Sequence, residues 1–236
     1  MVSEKKCLKQ QRALNVKMYK SLLLDIDGVL VRDRLLMEHV KDNCVKYVAA
    51  KLPRCKNPRE TNRVLYLGYG HTARGLSTAF QVDTHDFNEK VYDKPLMNHL
   101  AEVIYGNEFQ QEAKELHELT EKGWKVTLFT NSPVEWAVPI GRAISDNLFI
   151  DCVGHDVSTS LLKPDAARYT QFPKHVQHFY VEDSLKNLGT ARLLPNWHSV
   201  YFNEGPKEDR LWCPQVGSMW ELLLYINSVD EWTHVC

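Results

Sequence analysis

Ser21-Leu22-Leu23-Leu24-Asp25-Ile26-Asp27-Gly28 decides how this chain is read. The leucines form the apolar run of a strand buried on both faces, and the run stops at two carboxylates and a glycine. The same break recurs in Lys125-Val126-Thr127-Leu128-Phe129-Thr130-Asn131 and in His178-Phe179-Tyr180-Val181-Glu182-Asp183, with Lys163-Pro164 between them. In an open parallel sheet, residues just past the carboxyl ends of the strands converge on one crevice. Carboxylates, a hydroxyl and an amine that are distant in sequence are therefore expected to meet there, as a phosphate and metal site in outline.

Short apolar runs at Leu22 to Leu24, Val126 to Phe129, Leu148 to Val153, Phe179 to Val181 and Ser199 to Phe202 read as strands. Helical spacing separates most of them, beginning at Ser132-Pro133, at Pro164-Asp165 and at Ser184. The alternation predicts an α/β fold with a doubly wound, Rossmann-like parallel sheet.

The segment 33–112 reads differently, because strand signals vanish. Leu36, Val40, Cys44 and Val48 recur every four residues, the spacing of one helix face, and leave Lys41, Asp42 and Lys46 for solvent. Further helices are expected at Pro58 to Leu67, Thr72 to Phe80, Thr84 to Tyr92 and Phe109 to Lys122. The chain thus divides into an N-terminal extension (1–17), a catalytic core (18–32 and 113–236) and a helical cap inserted after the first strand (33–112). The extension is expected to be a solvated tail.

Composition excludes several classes. The 236 residues are 44% hydrophobic, enough for a real core, and 29 basic against 30 acidic side chains leave a net charge of −1. Such a balance provides no general field for a nucleic acid polymer or an anionic membrane. No apolar run reaches the roughly 18 residues of a membrane span. Six cysteines without a C-x-x-C pair fit a reduced compartment, so a cytoplasmic protein is expected. His175 and His178 lack a third ligand nearby, which disfavours zinc.

Asp25 and Asp27 stand two residues apart, so one backbone turn can give them separate environments and separate tasks, nucleophile and acid/base. A calcium loop is disfavoured because Gly28 falls at the fourth position instead of the sixth. Glu182 and Asp183 add hard oxygen ligands suited to Mg²⁺ when a substrate phosphate completes the coordination. Thr130, Asn131 and Ser132 offer a hydroxyl, an amide and backbone N–H groups at a helix entrance, and Lys163 offers a compensating charge. Taken singly, each has an ordinary explanation as a cap, a turn or a surface lysine. Their joint order, each at the edge of an expected sheet element, is hard to obtain by accident.

Asp-x-Asp, Thr-Asn, Lys-Pro and Glu-Asp in this order resemble the haloacid dehalogenase-like hydrolase superfamily from Tyr19 to about Phe202. The resemblance implies that Asp25 attacks phosphorus to form an aspartyl-phosphate, while Asp27 protonates the leaving oxygen and then activates water. It also implies Mg²⁺ held by Asp25, the Asp27 backbone carbonyl and Asp183, with Glu182 acting through water, and a phosphoryl group held by Thr130, Asn131 and Lys163. Gly28 and Ser132 complete that expected binding set. A halide leaves without a proton but an ester oxygen needs one, so Asp27 points to phosphate esters over alkyl halides.

Tyr69-Gly70-His71-Thr72-Ala73-Arg74-Gly75-Leu76, with Val82-Asp83 and the Phe87 to Tyr92 stretch, looks like the cap of the pyrimidine 5′-nucleotidase-type branch. That implies a nucleoside 5′-monophosphate as the small-molecule partner, with His71 or Arg74 near its base or ribose. The reading is a Mg²⁺-dependent phosphatase. The alternatives are a sugar phosphomutase or phosphotransferase, and a non-catalytic nucleotide-binding protein of the same fold.

Overall fold

The computed structural model describes residues 20–83, 85–146, 148–153 and 161–232. The expectation for 1–17 lies outside them. Among the described residues the strands are β1 (Lys20–Leu24), β2 (Lys125–Pro133), β3 (Phe149–Val153), β4 (Gln177–Glu182), β5 (Trp197–Phe202) and β6 (Gln215–Val216). They form one parallel sheet in the order β3-β2-β1-β4-β5-β6. The sheet is the doubly wound arrangement expected from sequence.

Alternation along the strands explains the apolar runs. Leu22 and Leu24 enter one core cluster with Val126, Leu128, Phe179 and Val181, whereas Leu23 enters another with Phe129 and Tyr180. Both faces are covered, as a parallel sheet requires. The crossover order reverses at β1, which is paired with β2 on one side and with β4 on the other. Leu24 is in register with Val181, so Asp25 and Glu182 leave the sheet side by side at the switch point.

Between β1 and β2 the chain is helical: α1 (Arg34–Lys51), α2 (Pro58–Tyr69), α3 (Thr72–Phe80), α4 (His85–Val91), α5 (Lys94–Ile104) and α6 (Asn107–Glu121). Side-chain caps start several of them. Asp33 accepts from the Leu36 N–H, Asn57 from Glu60 and Asp93 from Leu96. Tyr47, Val48, Leu65, Ala73, Leu76, Phe87 and Val91 form a cluster within α1 to α4. Leu162, from the loop carrying Lys163, packs into that same cluster.

The return to the core runs through one helix. Helix α6 is unbroken from Asn107, and its Phe109, Ala113, Leu116 and Leu119 all join the sheet's core cluster. A division at 112/113 therefore falls inside a helix. Arg32 ties the two crossings together: it makes a paired contact with Glu112 at 2.7 and 3.1 Å and reaches Glu204 at 2.8 Å.

The remaining helices are α7 (Val134–Ile144), α8 (Ala166–Tyr169), α9 (Leu185–Ala191) and α10 (Met219–Trp232). No helix among the described residues is long and apolar enough to cross a membrane. Cys44, Cys55, Cys152 and Cys213 are unpaired.

Candidate active site

Just after β1 the chain turns sharply, and the Ile26 carbonyl accepts from the N–H groups of Val29, Leu30 and Val31. Gly28 in this turn has φ of 81°, a conformation that side chains disfavour. A Cβ there would lie 2.1 Å from Asp183 Oδ2, so the glycine also makes room for that carboxylate.

Lys163 is the hub of the site. Its side chain is buried, and Nζ lies 2.9 Å from Asp25 Oδ1, 2.7 Å from Glu182 Oε2 and 2.8 Å from the Phe129 carbonyl. Phe129 and Tyr180 present their rings 5.2 and 5.7 Å from the ammonium. Burial alone would lower its pKa, but Asp25 and Glu182 outweigh that and keep the lysine charged. Burial likewise works against the charge on Glu182, and Lys163 overrides it to keep the carboxylate ionised. Tyr180 OH donates to Glu182 Oε2, and Ser184 N–H donates to Oε1 at 3.2 Å. Both oxygens of Glu182 thus already accept hydrogen bonds.

Burial and then the Glu182 charge push the Asp25 carboxyl above its ordinary range, with Lys163 pulling the other way. Asp183 is exposed on the crevice rim, where desolvation by the surrounding walls, followed by Glu182, raises it to about 8. One oxygen from each of Asp25, Glu182 and Asp183 can be chosen so that all lie within 4.8 Å of one another. Three hard oxygen donors, two of them with ionisation opposed by burial and then by the Glu182 charge, are a donor set that fits a divalent cation such as Mg²⁺.

Asp27 is held at both oxygens. Ser132 Oγ donates to Oδ2, and Trp136 Nε1 donates to Oδ1 at 2.9 Å. Burial raises its pKa and these two donors oppose the rise.

The Thr130 to Ser132 segment leads into the expected helix, which starts slightly later than its spacing predicts. Strand β2 continues to Pro133, with a register shift between Phe129 and Pro133, and α7 begins at Val134. Thr130 is buried, and its Oγ1 accepts from the Ser132 N–H at 3.0 Å. The Asn131 side chain is engaged at both ends by the main chain of Lys163, donating to the carbonyl at 3.0 Å and accepting from the N–H at 2.8 Å. It positions the lysine. Arg168 supports the same strand end, reaching the Thr130 carbonyl at 3.2 Å and Asp151 Oδ1 at 3.1 Å.

His71, expected beside a base or ribose, is a buried helix cap. It is 8% exposed, its Nδ1 accepts from the Ala73 N–H at 3.2 Å as the N-cap of α3, and its ring meets Phe87 edge-on at 5.6 Å. The cap's own packing uses this ring. Arg74, half-buried on α3, is the other expected contact.

Burial lowers the His71 pKa from 6.5 to about 4. A depressed histidine binds its proton more weakly when folded, so its contribution to stability is present above about pH 6.5 and lost as the pH falls toward 4. The loss amounts to about 3 kcal/mol at most. His71→Asn keeps a capping oxygen and removes the titration. Urea unfolding at pH 7 and pH 4.5 should show a smaller acid loss in this variant than in the parent. An equal loss in both would contradict this account of His71.

Trp136, Tyr180 and Arg168 were not among the residues expected from sequence. Trp136 and Arg168 act on partners distant in the chain, whereas Tyr180 donates to Glu182 only two residues on, a spacing that places both on one face of β4. His178 Nε2 lies 3.0 Å from the Pro173 carbonyl.

A scan of protein-family models finds no match to the chain, and a search of curated protein sequences also finds none. Solved structures do match. A haloacid dehalogenase-like phosphatase from Thermococcus onnurineus aligns over 88% of this chain and 97% of its own, with 16% identity and a TM-score of 0.57. A 2-haloacid dehalogenase from Pseudomonas syringae pv. Tomato DC3000 aligns over 89% and 99%, with 16% identity and a TM-score of 0.52. A haloacid dehalogenase-like hydrolase from Streptococcus pneumoniae aligns over 89% and 100%, with 14% identity and a TM-score of 0.51. The sheet order, the helices inserted after β1 and these likenesses together give the chain the fold of haloacid dehalogenase-like hydrolases.

Proposed function

We propose that this protein is a Mg²⁺-dependent phosphatase that hydrolyses a small phosphate monoester, a nucleoside 5′-monophosphate in the finer reading, through an aspartyl-phosphate at Asp25. The observation that carries the proposal is Lys163 Nζ at 2.9 Å from Asp25 and 2.7 Å from Glu182, beside the exposed carboxylate of Asp183. A fold shared by phosphatases and a dehalogenase does not choose the reaction. Asp27 supports the phosphate ester, because an ester oxygen must be protonated to leave.

Asp25 attacks phosphorus, the phosphorus–ester oxygen bond breaks, and the Asp27 proton passes to the departing alcohol. Water then attacks the phosphoryl group while Asp27 accepts its proton, releasing phosphate and restoring Asp25. Ser132 and Trp136 fix the Asp27 carboxyl for both transfers. Lys163, positioned by Asn131 and Glu182, screens the repulsion between the attacking carboxylate and an anionic substrate, and Thr130 is assigned to the phosphoryl oxygens. Asp25, the Asp27 carbonyl and Asp183 would hold Mg²⁺, which supplies further charge neutralisation at the transferring group. Glu182 is assigned mainly to Lys163.

The direct test is phosphate release from a panel of nucleotides and sugar phosphates, with Mg²⁺ and after chelation. Release that requires the metal is expected. Isomerised sugar phosphate without free phosphate would favour the mutase alternative, and binding without release the non-catalytic one.

Gly28→Ala tests the metal side of the proposal, because the added methyl would meet Asp183 Oδ2. The concentration of Mg²⁺ giving half-maximal activity should rise by about tenfold or more. An unchanged requirement would remove Asp183 from the ligand set.

A further inference from the structure

The end of α2 lies directly over the site. Gly70 closes this helix with φ of 75°, and a Cβ there would lie 3.3 Å from the Lys163 carbonyl and 4.0 Å from Asn131 Nδ2. Tyr66 stands one turn earlier, its carbonyl accepting from the Gly70 N–H at 2.8 Å. Asn62 and Leu65 of the same helix are buried, whereas Tyr66 is 58% exposed.

Residues four apart share a helix face, so Tyr66 stands on the face that Gly70 turns to Lys163 and Asn131. Burial, followed by the charges of Asp27 and Asp25, raises the pKa of its phenol, in keeping with that position. Tyr92, just past α4, brings its ring to 5.6 Å from Trp136, the donor to Asp27. Aromatic side chains from the cap and from α7 thus stand beside the carboxyl assigned to the leaving oxygen.

We infer that Tyr66 is a specificity-determining residue of the cap, bearing on the alcohol portion of the bound ester and favouring alcohols that carry a flat ring. The inference rests on the phosphatase reading and deepens it. An aromatic wall gains contact area and stacking from a planar ring that a short aliphatic alcohol cannot supply. Lys163, Asp25 and Asp27 act on atoms common to every phosphate ester, so discrimination must come from groups beyond them.

The test compares kcat/KM for uridine 5′-monophosphate with that for glycerol 3-phosphate. Tyr66→Ala should lower this ratio about tenfold, mainly through a higher KM for the nucleotide. Tyr66→Phe, which keeps the ring, should lower it about threefold or less, whereas Tyr66→Leu, which removes the ring but keeps an apolar side chain, should lower it about tenfold and decides the matter if the alanine variant fails to fold. An unchanged ratio in the ring-less variants, or equal losses on both esters, would overturn the inference.

Binding separates this outcome from failure of the phosphatase reading. In the Asp25→Asn background, calorimetry with uridine 5′-monophosphate and Mg²⁺ needs no turnover, and adding Tyr66→Ala should weaken binding about tenfold. If the unsubstituted chain releases no phosphate from either ester while this weakening is seen, the phosphatase reading falls and the assignment of Tyr66 stands. Absence of nucleotide binding, or binding indifferent to Tyr66, overturns the assignment.

Discussion

Asp25→Asn is expected to reduce phosphate release by at least about 10³-fold, because an amide cannot form the covalent intermediate. The fold should survive the change. Asp25 is buried, but its backbone N–H bond to the Val181 carbonyl, at 3.0 Å, belongs to the sheet and does not involve the side chain. The substitution also removes a negative charge from a crowded cluster, where burial and Glu182 already oppose ionisation. Lys163 retains Glu182 as a partner at 2.7 Å. Near-native thermal unfolding with lost turnover is therefore the expected pair of results. Turnover within about tenfold of the parent would remove Asp25 from the nucleophile role.

Asp27→Asn is expected to act through the leaving group. With alkyl phosphates the loss should be on the order of 10²- to 10⁴-fold, since the alcohol must depart with a proton. With an activated aryl phosphate it should be at least about tenfold smaller, because that oxygen leaves readily as an anion. The amide can still accept from one of Ser132 and Trp136, so a general collapse of the site is not expected. Equal losses on both esters would assign Asp27 a positioning role and leave the acid unidentified.

Much of this architecture was legible because a buried parallel strand has a simple signature. Three leucines in succession fill both faces of β1, and the first polar residue marks the point where the strand leaves the sheet. The break at Glu182 ends β4 in the same way, whereas β2 runs on past Thr130 to Pro133 through its register shift. Helix α3 was equally plain, running from Thr72 to Phe80 as its spacing predicts.

Other elements gave weaker signals. Helix α5 was absent from the sequence reading even though Asp93 caps it, Pro95 lies in its first turn, and Leu96, Leu100 and Ile104 form its buried face. Strand β6 has two residues, too few for any period. The helix expected from Ser132-Pro133 begins at Val134 with Pro133 as its cap, two residues later than Ser132 because the polar residues after the apolar run prolong the strand end. The capping role of His71 was not legible, because a histidine between a glycine and a helix reads alike whether its ring caps that helix or faces a ligand. Asn131 binding the main chain of Lys163, and Trp136 reaching Asp27, depend on contacts 32 and 109 residues apart in sequence, which local patterns cannot express.

The central claim is that Asp25 carries the phosphoryl group during turnover. Acid quenching during steady-state hydrolysis, followed by peptide mapping, tests it most directly. The account predicts a phosphoryl group on Asp25 that is absent without substrate and absent in Asp25→Asn. Continued phosphate release with no group on Asp25, or with the group on another residue, would contradict it.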